Sequence, residues 1–308
     1  WTMYDTRRKF SDNMGVKAMF LDVHAHVYRY QYPTPNGVEL FISPAQLKET
    51  YERIGVDRAV LLPIVSSEEY MPQSVGEIID IANESGGKWI PFCNIDPRVY
   101  YNNSDSPIGM LLEHYRKLGC RGIGEVMPNL PWRDPRFQNL LHHVEISGFP
   151  LIFDMTGRLN SGYGIYDDPG MPQLEYSIAR HPGLTFVGHG PAFWAEIGTL
   201  RDPSDRHSYP KYGIDKEGRV AELLRTYPNL WVELSAGSGY NAMTRDLDYA
   251  VQFLNEFQDR VMFGTDICYY GQEIKIGELL ITLRDEKKLS CETFEKIAHG
   301  NAERLLKL

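Results

Sequence analysis

The stretch LDVHAHV sets His24 and His26 two residues apart behind an apolar run. In an extended chain, residues i and i+2 point the same way. The spacing therefore predicts two imidazoles side by side at the end of a strand, which is half of a metal site. The pair needs support, because nine histidines in 308 residues give roughly 0.2–0.3 such pairs by chance. Its partners would be polar residues at the ends of other apolar runs. Four such residues stand out: Glu125 in GIGEVMP, Asp154 in IFDMTG, His189 in VGHGP and Asp266 in MFGTDI.

Each has a plainer reading. His189 could be an ordinary hydrogen-bonded histidine, and Asp154 or Asp266 could cap a turn. Glu125 could pair with Arg121 or Arg133. For Asp266 the metal reading is stronger. A carboxylate behind a buried strand costs several kcal/mol unless a cation or a hydrogen-bond network answers it. His114, His142, His143, His181, His207 and His299 read as structural or solvated.

Imidazole and carboxylate donors suit Zn²⁺ first, with Mn²⁺, Fe²⁺ or Co²⁺ as further options. A catalytic ion of this kind activates water and polarises a carbonyl. Asp266 could then both touch the metal and accept a proton. His189 would stabilise charge developing on the substrate.

The elements that must position these residues recur as one unit. Eight apolar runs occupy 18–26, 58–65, 88–95, 120–127, 149–156, 184–190, 230–237 and 260–267. Most are continuously apolar, as strands buried on both faces are. Helical patterns lie between them, as at 44–55, 76–86, 134–148 and 246–259, and Gly or Pro marks many returns to the next strand. The closing segment reads as a helix interrupted near Gly300. Eight alternating strands and helices in a chain of this length predict an α/β fold, a (β/α)8 TIM barrel. The competing doubly wound sheet would carry a Gly-rich phosphate loop where this chain has His-Ala-His. We expect one domain over 1–308, with 1–17 as an N-terminal extension. Two long loops, 157–172 and 191–217, follow the fifth and sixth runs and should lie on the face where barrel active sites sit. They offer Arg158, Tyr163, Arg206, Tyr209 and Lys211 as candidate substrate contacts, whose positive charges could meet a carboxylate.

A net charge of −9 with no block of like charge argues against nucleic acid and anionic membranes as partners. Four cysteines without a CxxC pattern read as free thiols. The segment WTMYDTRRKF lacks the apolar core of a secretory leader, so a cytoplasmic location is the expectation. Aromatic residues such as Tyr28, Tyr30, Tyr32, Trp194, Tyr269 and Tyr270 could wall a pocket or bury a subunit interface.

The phrases FLDVHAHV, VGHGPAFW, LWVELSAG, MFGTDICY and EKIAHGNAERLL together resemble the amidohydrolase superfamily. The finer likeness is to its amidohydrolase-related branch, which holds decarboxylases like aminocarboxymuconate-semialdehyde decarboxylase as well as lactone hydrolases. The resemblance implies His24, His26 and Asp266 as metal ligands and His189 as a catalytic residue or ligand, with a homo-oligomer possible. There is one departure. The family's fifth strand usually ends in a His, where this chain has Asp154. Either Asp154 or Glu125 could complete the ligand set. The activity implied is a metal-dependent hydrolase that attacks a lactone, ester or amide of a small carboxylate-bearing substrate. Two alternatives stand beside it: a metal-dependent non-oxidative decarboxylase, and a non-catalytic ligand-binding barrel with an eroded metal site.

Overall fold

The computed structural model describes residues 20–33, 37, 39–69 and 71–308. The extension expected over 1–17 lies outside the described residues. Eight strands follow the eight apolar runs: β1 (Phe20–Ala25), β2 (Val56–Leu61), β3 (Trp89–Pro91), β4 (Ile123–Val126), β5 (Leu151–Thr156), β6 (Phe186–His189), β7 (Leu230–Glu233) and β8 (Val261–Met262). All pair in parallel, β1 to β3 in one set and β4 to β8 in the other. Parallel bridges Cys93↔Ile123 and Ala25↔Ile267 join the two sets at both seams. The ring is therefore closed, and the fold is the TIM barrel expected from the sequence. Short pairings not expected from the sequence decorate it: Tyr32–Pro33 with Glu39–Leu40, and Ile165–Tyr166 beside β5.

Helices α1 (Pro44–Ile54), α2 (Val75–Glu84), α3 (Ile108–Lys117), α4 (Pro135–Ser147) and α5 (Pro172–Arg180) follow β1 to β5 in turn. The local signals explain their limits. Ser43 and Gln46 form a capping box at the start of α1, and Gly55 ends that helix at φ 76°, where a side chain would be strained. The C-terminal segment breaks as expected. Helical turns at Cys291–Glu295 and Asn301–Leu306 flank a wide turn over Lys296–Gly300.

Two apolar layers result. Leu21, Val23, Val60, Ile90, Phe92, Ile152, Val187 and Met262 fill the barrel interior, and Leu306 plugs its floor. Residues of opposite parity, such as Phe20, Ala59, Ile123, Phe153, Phe186 and Val232, face outward onto the helices. Simple alternation from Ile152 and Val187 turns Asp154 and His189 into the barrel mouth. Alternation fails on two strands. The register slips by one between Asp22 and Ala25 on β1, and again between Ile123 and Val126 on β4. Such bulges re-aim side chains, and these two turn His24 and Glu125 inward.

Across the mouth, Arg98 ties the loops after β2 and β3. Its guanidinium donates to both oxygens of Glu68, at 2.6 and 2.8 Å, and to Asp96. Partial burial pushes the Glu68 carboxyl up. The bonds from Arg98 and from Ser66 Oγ outweigh burial and hold it down at about 2. A lowered carboxylate pKa gives stability that is complete above the unfolded value and is lost as pH falls through the folded one. Stability should therefore fall between about pH 4.5 and 2 through this group, and Glu68→Gln should flatten that part of an acid-unfolding profile followed by circular dichroism.

Candidate metal centre at the barrel mouth

Four side chains from three places in the chain converge. His24 Nε2 lies 3.1 Å from His26 Nε2, 3.4 Å from Glu125 Oε2 and 3.6 Å from Asp266 Oδ1. His26 Nε2 lies 3.3 Å from the same Glu125 oxygen and 3.5 Å from the same Asp266 oxygen. Ligands at about 2.0–2.2 Å around a tetrahedral ion are separated by roughly 3.3–3.6 Å; across this cage the four imidazole–carboxylate distances fall in that range, and the two imidazoles are slightly closer.

The protonation chemistry agrees. His26 Nδ1 sits 3.0 Å from the carbonyl oxygen of Leu62, which can only accept. That nitrogen must carry the proton, and Nε2 of the neutral ring is bare. His24 Nδ1 faces Glu233 at 3.2 Å, which leaves its Nε2 bare as well. Two lone pairs and two carboxylates pointing at one spot require a cation or bound protons. Buried groups show this demand. Burial pulls both imidazoles down, but Glu125, Glu233 and Asp266 raise His24 well above its ordinary value, and Asp266 and Glu125 raise His26. Burial pushes the Glu125 carboxyl up, yet His24 and His26 hold it well below the carboxylate range.

Backbone geometry sets the cage. The Asp22 carboxylate accepts from the amides of His24 and Thr265, both at 2.9 Å, and from the Tyr51 hydroxyl at 2.6 Å. This locks the end of β1 to the segment after β8. Asp266 itself adopts φ 51°, unusual for a non-glycine residue and typical of functional strain. Its amide donates to the His24 carbonyl at 2.8 Å.

Behind the cage lies Glu233 of LWVELSAG, which is not among the candidates the sequence offers. It is fully buried, and one oxygen, Oε1, serves two rings: His24 Nδ1 at 3.2 Å and His189 Nδ1 at 2.5 Å. Ser235 adds its hydroxyl at 2.9 Å to that oxygen and its amide at 2.7 Å to the other. Burial would raise this carboxyl, but the His189 charge and both imidazole bonds hold it far below the usual range. His189 is pushed down by burial and up by Glu233, and ends at about 9. Its Nε2 lies 3.6 Å from Glu125 Oε1. The signal in the sequence was a glutamate ending an apolar strand. No spacing distinguished it from a surface residue.

The remaining candidates divide. Asp154 is buried, but no imidazole nitrogen lies within ion-pairing distance of it among the described residues, and it joins neither three-residue group able to hold an ion: His24–Glu125–His189 and His24–His26–Asp266. Burial and the Glu125 charge push its carboxyl well above the normal range. Tyr163 and Tyr209 look onto these carboxylates. The charge on Asp154, and then burial, raise the Tyr163 phenol, while burial and Asp266 raise that of Tyr209. Arg158 and Lys211 are exposed. Arg206, expected among the substrate contacts, is instead 2% exposed. Its Nε lies 2.7 Å from Glu196 and its Nη1 donates to the Asp167 carbonyl at 2.7 Å. It braces the loops after β5 and β6 because a buried guanidinium must be paired. Trp194 is also buried, and its Nε1 donates to the Glu233 carbonyl.

The sequence matches the model of the amidohydrolase family (Amidohydro_2) over residues 166–308. The matched part includes His189, Glu233 and Asp266. No curated protein sequence matches it significantly. Solved structures share the fold. A zinc-bound amidohydrolase from Burkholderia multivorans is 16% identical, with 94% of this chain and 100% of that one covered and a TM-score of 0.59. A probable 2-pyrone-4,6-dicarboxylic acid hydrolase from Acinetobacter baumannii, with citric acid bound, is 12% identical over 94% and 99%, at 0.57. A 2,6-dihydroxybenzoate decarboxylase complexed with 2,6-dihydroxybenzoate is 15% identical over 94% and 99%, at 0.52. No helix among the described residues is long and apolar enough to cross a membrane.

Two substitutions test the support behind the cage. A Cβ at Gly264 would lie 2.5 Å from Glu233 Oε2 and 2.9 Å from Ser235 Cβ. Gly264→Ala should therefore lower stability by about 1–3 kcal/mol in denaturant unfolding. Glu233→Gln should weaken divalent-metal binding by roughly 10–100-fold, read by competition with a chromogenic chelator.

Proposed function

We propose that the chain is a metal-dependent hydrolase acting on a lactone, ester or amide of a small carboxylate-bearing substrate. The observation that carries this reading is the convergence of Glu125 and Asp266 on the His24–His26 pair, each carboxylate 3.3–3.6 Å from both Nε2 atoms. These four would hold the ion, with zinc the first choice for two imidazoles and two carboxylates. A divalent cation there supplies Lewis acidity, polarising a carbonyl and making water nucleophilic at neutral pH.

The residues around it have separate tasks. The Asp266 side chain is 22% exposed, so it can take a proton from the attacking water and return it to the leaving group. His189, its Nδ1 anchored on Glu233, turns Nε2 toward the bowl to donate to the oxygen that gains charge. Tyr163 and Tyr209 flank the substrate, and Arg158 and Lys211 at the rim meet its carboxylate. Decarboxylation is the second reading. It is favoured by the raised pKa of His189, since such a donor could also protonate carbon.

Elemental analysis of protein purified without chelator or affinity metal should find about one divalent ion per chain. Hydrolysis of a panel of lactones, esters and amides should disappear with chelation. His24→Ala should remove both metal and activity. A chain that takes up no metal even after reconstitution would overturn the proposal in favour of a ligand-binding barrel. Turnover of aromatic or unsaturated carboxylates with release of carbon dioxide, and no hydrolysis, would favour the lyase.

A further inference from the structure

Asp154 is the anomaly of the bowl. It is 4% exposed and stands opposite His189 in the β5–β6 register. Glu125, Glu233 and Asp266 all have imidazoles within ion-pairing distance. Asp154 has no hydrogen bond and no ion pair among the described residues. Its Oδ1 packs close against Gly190, where a Cβ would fall 2.1 Å from it. Only a glycine at φ 100° leaves room for the carboxylate there. On the loop side the groups that sense its charge are Tyr163 and Tyr209. The oxygens of Asp154 are not sealed off from the bowl, and a carboxylate left there without a protein partner is placed to meet a ligand.

We propose that Asp154 is a substrate-recognition carboxyl, outside the metal cage, that accepts a hydrogen bond from a hydroxyl or amine carried by the substrate near the bond to be broken. The inference rests on the hydrolase reading for the word substrate, and on geometry for the rest. Glu125 and Asp266 are its acidic neighbours, with His189 and His24 on the other side of the balance, so a neutral or cationic donor suits this spot better than a further anion. A donor fits, and the substrate's own carboxylate belongs at the rim. The substrate class narrows to hydroxylated or aminated carboxylic-acid derivatives.

The test compares binding of D-gluconate, its 2-amino-2-deoxy analogue and hexanoate to the metal-loaded full chain by calorimetry, with no turnover required. The hydroxylated or aminated acid should bind about tenfold or more tighter than hexanoate. Asp154→Ala should abolish the preference and keep the metal content. Asp154→Asn separates the two donors: a hydroxyl keeps part of its bond to the amide oxygen, whereas an ammonium loses its partner. Both variants should be no less heat-stable than the wild type. Equal binding of the three acids, undetectable binding included, would overturn the proposal. So would a preference that survives Asp154→Ala, or loss of metal in both variants, which would make Asp154 a ligand. A preference without any hydrolysis keeps Asp154 as a recognition group and removes the hydrolase reading. Hydrolysis without a preference does the reverse.

Discussion

One buried carboxylate oxygen organises the mouth of this barrel. Glu233 Oε1 holds Nδ1 of both His24 and His189, and so decides which nitrogen of each ring is free to face the cavity. Neither ring could do this alone, because an imidazole offers one donor and one acceptor and rotates readily unless its second nitrogen is fixed. Charge complementarity makes the arrangement tolerable in a dry interior: the same contacts that raise both imidazoles lower Glu233. Gly264 leaves the space that the carboxylate fills, and Ser235 donates one further bond to each of its oxygens.

The scaffold places the groups around that anchor by three separate devices. Asp154, His189 and Glu233 reach the mouth through ordinary alternation, continuing the interior rows of Ile152, Val187 and Trp231. His24 and Glu125 reach it only because β1 and β4 each carry a one-residue slip. Asp266 reaches it through a left-handed backbone pinned to the His24 carbonyl. The cage is thus assembled from irregularities in a regular barrel, and regular elements around it absorb the distortion. The Asp22 carboxylate, shared among Tyr51, Thr265 and the His24 amide, holds the closing seam where two of these irregularities meet.

The loops over the mouth are braced as well. Asn129 donates to the carbonyls of Arg158 and Gly164 and accepts from the Asn160 amide, which sets the segment carrying Tyr163. Arg206 performs a similar service for the loop after β6 by pairing with Glu196. A bowl with such fixed walls suits chemistry that depends on preorganised polar groups.

Much of this protein could be read from its sequence. Eight apolar runs with glycine and proline punctuation specified the barrel, since strand burial and helix capping are local effects. His24, His26, His189 and Asp266 were legible because each polar residue interrupts the end of an apolar run, where its presence is expensive. Glu125 and Asp154 were legible as candidates but not in their placement. A β-bulge leaves no trace in composition, and only the assembled strands show that Glu125 pairs with the histidines while Asp154, opposite His189, pairs with none of them. Arg206 reads as a substrate contact because a positive charge in a long loop over the mouth could meet a carboxylate, yet its acidic partner Glu196, ten residues earlier, is brought to it only by the folded loop. Glu233 was hidden for the same reason. Its partners lie 209 and 44 positions away, and a buried carboxylate differs from a surface one only in what the tertiary structure sets against it.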